Sequence, residues 1–162
     1  MIIIGIDPGL DGALAILRDG ELLYVYDLVS ERVGGTGHVK RRLSATALRE
    51  SLQRARAVHG PDDFIAVIER VHAGGGQGVA SVYSLGDTAG CVRGVVQSLD
   101  MRIEYVTPAE WKRAMKVPPD KGVARTLAAQ RWPHRQAWFA RAKDHNRAEA
   151  ALIAAYGWEQ FG

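Results

Sequence analysis

The sequence predicts an α/β fold with a mixed central sheet of about five strands and helices on both faces. Three observations carry this. Five apolar or β-branched runs of strand length stand at residues 2–6, 13–17, 22–28, 64–68 and 102–106. The first three follow one another directly, with Arg18-Asp19-Gly20 as the turn signal of a hairpin. Beyond them, strands alternate with helix-length segments, the order expected of an α/β layer structure.

Each element has its own local reason. Residues 2–6 form a continuous Ile-rich run, suited to a central strand buried on both faces, and Asp7-Pro8-Gly9 breaks it. The Gly-rich, charged stretch 30–42 reads as a loop. Ser44 is placed to cap a helix reaching about residue 58, with Ala47, Leu48, Leu52 and Ala55 inward. Residues 64–68 end on Glu69 and lead into a glycine-rich loop at 73–78. A long helix over 79–99 presents Val82, Leu85, Ala89, Val92, Val96 and Leu99 on one stripe. Gly86, Gly90 and Gly94 recur every fourth residue on that helix. Each costs roughly 1 kcal/mol against alanine, so a close neighbour is expected to offset them, either the sheet or a second subunit. Helices are expected at 108–115, 121–131 and 146–156, the last stopped by Gly157.

The 162 residues suit one domain spanning the chain. Charge is uneven: residues 1–100 carry 10 Lys/Arg against 12 Asp/Glu, whereas residues 101–162 carry 11 against 6. A basic half points to a polyanionic partner, although an uneven solvated surface reads equally well from charge alone. Cys91 is the only cysteine, which excludes an intrachain disulfide and a zinc cluster. No apolar run approaches the ~20 residues of a membrane span, and the N-terminus has no signal-peptide pattern, so a reducing, cytoplasmic setting is expected.

Four carboxylates stand where packing would not put them. Asp7 and Glu69 each end an apolar strand, and Asp144 and Glu149 bracket the start of the last helix. A carboxylate at the rim of a buried sheet is costly unless it is paired or binds a metal. Several such groups converging would repel one another, and Mg²⁺ or Mn²⁺ relieves that repulsion because hard cations take oxygen ligands. Two ions about 3.5–4 Å apart can activate water and stabilise the leaving oxygen of a phosphodiester. Taken singly, each residue has another reading. Asp7 suits a turn cap, Glu69 an ion pair with Arg70, Asp144 a helix N-cap, and Glu149 a solvated helix face.

In chain order these segments resemble RuvC-type Holliday junction resolvases of the RNase H-like superfamily. Ile4-Gly5-Ile6-Asp7-Pro8-Gly9 is similar to the family's opening strand, and Ala66-Val67-Ile68-Glu69-Arg70-Val71 to its catalytic glutamate strand. Residues 81–90, Val106-Thr107-Pro108 and Trp111-Lys112 resemble the segments that follow. The resemblance implies an RNase H-like fold and a homodimer that resolves four-way DNA junctions by symmetric phosphodiester hydrolysis, probing the junction centre with the loop after the glutamate strand. It implies metal ligation by Asp7, Glu69, Asp144 and Glu149, with Mg²⁺ or Mn²⁺, and a phosphate or transition-state contact from Lys121. It also implies action on DNA inside the cell, in association with the nucleoid.

The last motif departs from the bacterial pattern. Asp144 and Glu149 are five apart, which on a helix turns them about 140° from each other. Asp144 can join Glu149 only from ahead of the first turn; otherwise His145 or Asn146 replaces it. The five-residue spacing is similar to phage and organellar relatives, which favours Asp144. Candidate DNA contacts are Lys40, Arg41, Arg42, Lys112, Arg113, Lys116, Arg135, Arg141 and Lys143, with His72 and Gln77 as loop probes. Residues 131–139 mix charge with aromatics and suit either base stacking or closure of the core. Alternative functions are an RNase H-like nuclease acting on RNA–DNA hybrids, flaps or RNA precursors, an actin-like ATPase, and a non-catalytic nucleic-acid binder.

Overall fold

In the computed structural model, all residues are described except 35–39, 61–62, 73 and 75 and the side chains of Lys40 and Lys121. Strands β1 (Ile2–Asp7), β2 (Ala13–Arg18) and β3 (Glu21–Asp27) form the predicted antiparallel meander. β4 (Ser30–Val33) and β5 (Lys40–Leu43) pair as a separate ribbon. After α1 (Ala45–His59) come β6 (Phe64–Glu69), α2 (Val79–Ser98), β7 (Arg102–Val106), α3 (Pro108–Ala114), α4 (Lys121–Arg131) and α5 (His145–Phe161). The main sheet has the order β3-β2-β1-β6-β7, with β1, β6 and β7 parallel. The expected mixed sheet of five strands is therefore present.

Side chains alternate across this sheet, so sequence parity sorts them into two cores. Ile2, Ile4 and Ile6 face α1 and α2, together with Leu48, Leu52, Val92 and Val96. Ile3, Ile65 and Val67 face α3, α4 and α5, where Trp111, Ala124 and Ile153 are buried. By the same parity Asp7 and Glu69 fall on the α5 side.

α5 lies directly against the sheet. A Cβ built on Gly5 would stand 2.2 Å from the Ala150 carbonyl oxygen and 2.4 Å from the Ala154 nitrogen. At Gly157 it would stand 2.5 Å from a Val67 methyl and 2.8 Å from an Ile3 methyl. Only glycine allows the backbone-to-backbone contact at Gly5, and at Gly157 it leaves room for sheet side chains. The run Ala148, Ala150, Ala151, Ala154 and Ala155 completes a low-profile helix surface, and all five are buried.

Two expectations need correction, and two open alternatives are decided. The stretch 30–42 is not simply a loop, because β4 and β5 pair with Glu31 opposite Arg42 and Arg32 opposite Arg41. Charged side chains on a solvated ribbon leave no apolar alternation to read. The last helix is not stopped at Gly157 but continues to Phe161, because that glycine serves the sheet contact rather than a helix end. Residues Pro133–Phe139 form a 3₁₀ segment, with Trp132 and Phe139 buried, so the aromatics there close the core. The glycine ridge of α2 does not pack on the sheet: among the described residues, a Cβ at Gly86, Gly90 or Gly94 would meet nothing within 4 Å.

The Gly5 contact yields a stability prediction. Gly5→Ala forces a methyl into the α5 backbone, which cannot move aside as a flexible side chain would. The expected loss is about 3 kcal/mol, at the upper end for overpacking, read as a lower denaturation midpoint with an unchanged m-value.

Candidate metal and phosphodiester site

Asp7 and Glu69 end adjacent parallel strands whose pairing puts Ile6 opposite Ile68, so the two carboxylates leave the sheet at the same edge. Glu149 joins them from α5, held there by the Gly5 crossing one turn further along. The electrostatics record the grouping. Asp7 is pushed up to about 7, first by burial and then by the charges of Glu69 and Glu149, while Lys112 pulls it down. Burial also raises Glu69, and the Trp111 hydrogen bond offsets part of the rise.

Two adjacent residues of α3 reach this cluster. The strand β7 ends beside Glu69, with Val106 as its pairing partner. Thr107 then caps α3 in a reciprocal capping box with Glu110, and Pro108 starts the helix. Trp111 and Lys112 are thereby turned back over the sheet edge. The Trp111 indole Nε1 donates to Glu69 Oε2 at 2.5 Å. Lys112 Nζ stands 3.0 Å from Glu149 Oε1 and 5.1 Å from the centre of the Trp111 ring. Lys112, an expected DNA contact, supplies a countercharge inside the cluster in the absence of DNA. Trp111 was not singled out as a site residue; its place beside Lys112, ahead of the basic run, was the available signal.

Asp144 is not brought into this group. It is 1% exposed, and its carboxylate accepts from the Arg141 backbone N–H at 2.8 Å and from the Arg141 guanidinium at 2.8 and 3.0 Å. Burial works to raise its pKa, but the Arg141 hydrogen bonds outweigh it and hold the carboxyl below its ordinary range. Arg147 approaches Asp144 at 4.0 Å and donates to both oxygens of Asp27 at 2.5 and 2.6 Å. Asp27 stands in the same row as Asp7, each opposite Ala13 across one strand. The start of α5 is thus tied to the end of β3 by arginine–aspartate pairs. The two substitute candidates are also engaged: Asn146 Nδ2 donates to the Asp11 carbonyl at 2.5 Å, and His145 Nδ1 lies 3.3 Å from the Ala142 carbonyl.

The remaining basic candidates are dispersed. Arg41 pairs with Asp11 at 2.7 and 2.9 Å, and Arg42 with Asp87 at 3.1 Å. Arg113, Lys116 and Lys143 are exposed, and Arg135 stacks 4.6 Å over Trp138. His72 is exposed with Nδ1 3.2 Å from the Arg70 carbonyl, and the Gln77 side chain accepts from the Gly74 N–H at 3.3 Å. The side chains of Lys40 and Lys121 lie outside the described residues, although Lys121 opens α4 behind the Asp120 cap.

Among the described residues, no three His, Cys, Asp or Glu side chains are gathered closely enough to hold one metal ion as they stand. The donor set is nevertheless all carboxylate oxygen, the chemistry of a hard divalent cation. Asp7, Glu69 and Glu149 share one edge, and among the described residues Lys112 supplies countercharge there.

No known protein-family profile matches the sequence, and no curated protein matches it. The structure is similar to T. thermophilus RuvC in complex with Holliday junction substrate, with a TM-score of 0.64 and 13% identity over 99% of this chain and 96% of that chain. It is also similar to a second Thermus thermophilus RuvC structure, with a TM-score of 0.55 and 16% identity over 99% of this chain and 97% of that one. The fold is therefore the α/β, RNase H-like fold of RuvC.

The raised Asp7 pKa sets a pH-dependent stability. An acid whose folded pKa lies above its unfolded value disfavours folding only where the unfolded chain would be ionised. The penalty is absent below pH 3.8, grows through the interval up to about 7 and is complete above it. Asp7→Asn removes it. Metal-free Asp7→Asn is therefore expected to be more stable than wild type at pH 8 by on the order of a few kcal/mol, with the gain vanishing near pH 3.5. Thermal unfolding of both proteins across that range checks the sign.

Proposed function

We propose that this protein is a metal-dependent, structure-selective endodeoxyribonuclease that resolves four-way DNA junctions by paired phosphodiester cuts. The observation that carries the reading is the convergence of Asp7, Glu69 and Glu149 at one sheet edge beside Lys112. The RuvC-like fold supports it, since one of the similar structures is a RuvC bound to a Holliday junction substrate.

On this reading Asp7, Glu69 and Glu149 hold Mg²⁺ or Mn²⁺. The bound ions would supply an activated water and stabilise the leaving oxygen. Lys112 holds Glu149 in the absence of substrate and offers its ammonium to a phosphate oxygen when the backbone arrives. Lys121 is assigned a second phosphate contact from the family resemblance. Asp144 is given an anchoring role: with Arg141 and Arg147 it fixes the first turn of α5, and so the position of Glu149. Arg113, Lys116 and Lys143 are free to follow the phosphate backbone, which predicts strong salt dependence of binding.

Symmetric cutting of a junction calls for a two-fold dimer. The open glycine ridge of α2 is the candidate contact. Beside it Val79 and Tyr83 are 88% and 66% exposed, an apolar surface on the same helix.

Two experiments test the reading. Asp7→Asn is expected to cut a synthetic four-way junction at least roughly 100-fold more slowly, because even outer-shell changes at metal sites cost 10–100-fold. Binding of the junction should persist, and chelation of divalent ions should mimic the variant. Equal cutting by Asp7→Asn, or preference for an RNA–DNA hybrid or flap over the junction, would refute the assignment. Gly90→Arg should yield a monomer by sedimentation and replace paired cuts by single nicks.

A further inference from the structure

We propose that Trp111 is a positioning residue that presents Glu69 to the metal, an inference that rests on the nuclease reading above. The ring is 0% exposed, so its place is fixed by the core rather than by the site. Its N–H is aimed at one oxygen of Glu69, Oε2, and fixes the rotation of the carboxylate. Indole is a neutral donor with no acceptor capacity. It therefore orients Glu69 without cancelling its charge, which an arginine in the same place would do. The other oxygen of Glu69 is left for a cation.

The neighbouring residue performs the complementary task. Lys112 neutralises Glu149 across a 3.0 Å contact and rests over the Trp111 ring. The two side chains thus act differently: the tryptophan orients one carboxylate without bringing a charge of its own, and the lysine pairs with Glu149 and acts by charge on Asp7 and Glu69 as well. A purely packing role for Trp111 would be served by any large apolar side chain and would not need the N–H directed at a carboxylate.

The indole proton reports the contact directly, without turnover. The chain has four tryptophans, and Trp132 serves as an internal control because its N–H meets the neutral Gly20 carbonyl at 3.2 Å. In ¹H–¹⁵N spectra of metal-free protein, the Trp111 indole proton is expected downfield of that of Trp132. Glu69→Gln should move the Trp111 resonance upfield and leave Trp132 in place. In calorimetric titrations with Mn²⁺, Trp111→Phe should bind the ion about tenfold more weakly, the lower end for loss of a group that orients a ligand. A Trp111 resonance indifferent to Glu69→Gln, or Mn²⁺ affinity unchanged in Trp111→Phe, overturns the proposal. Should Trp111→Phe fail to fold, the Glu69→Gln spectrum decides alone. Wild-type protein that binds no Mn²⁺ would overturn the nuclease reading instead, and the indole shift would still decide whether Trp111 holds Glu69.

Discussion

The backbone contact between α5 and β1 is the constraint on which the remainder of the structure depends. Gly5 lets the helix lie against the strand with no side chain between them, and Gly157 further along the helix leaves room for the Ile3 and Val67 methyls. The alanines of α5 keep the rest of the interface equally thin. A helix seated at normal side-chain distance would carry Glu149 several ångströms away from the strand ends. The carboxylate cluster is thus a consequence of small residues, none of which is chemically reactive.

Bringing three acids together has an electrostatic cost, visible in the raised Asp7. The molecule answers it in two separate ways. At the cluster, among the described residues, Lys112 and the Trp111 indole N–H are the groups that contact the carboxylates. At the start of α5 the answer is complete: Asp144, Asp27 and Asp11 each face an arginine in fork geometry. Four aspartates at the same rim are therefore in different states. Three are saturated and held low, and Asp7 alone is left wanting a cation.

Much of the fold was legible because its signals are local. The Ile run of β1, the hairpin turn at residues 18–20, the Ser44 cap and the strand-ending Asp7 and Glu69 follow from period, propensity and capping. Strand parity even assigns Asp7 and Glu69 to a common face once the strands are placed. The ribbon of β4 and β5 was hidden because charged residues on a solvated pair carry no alternation. Gly157 misled because a glycine at a helix end and a glycine under a helix look alike in sequence. The surroundings of Asp144 were hidden for a related reason. Its spacing from Glu149 cannot show that Arg141, three residues earlier, turns back to occupy it. Trp111 was hidden because a buried tryptophan reads as core until the direction of its N–H is known.

The three acids stand at positions 7, 69 and 149, and the last rides on the helix that seals one side of the sheet. Synthesis must therefore pass residue 149 before the cluster can form. Until α5 docks, Asp7 and Glu69 stand side by side at a sheet edge that lacks the charge of Glu149 and the cover of the helix. Synthesis and assembly of the charged pocket are thus ordered in time, and an unfinished chain carries the parts of the site without the site.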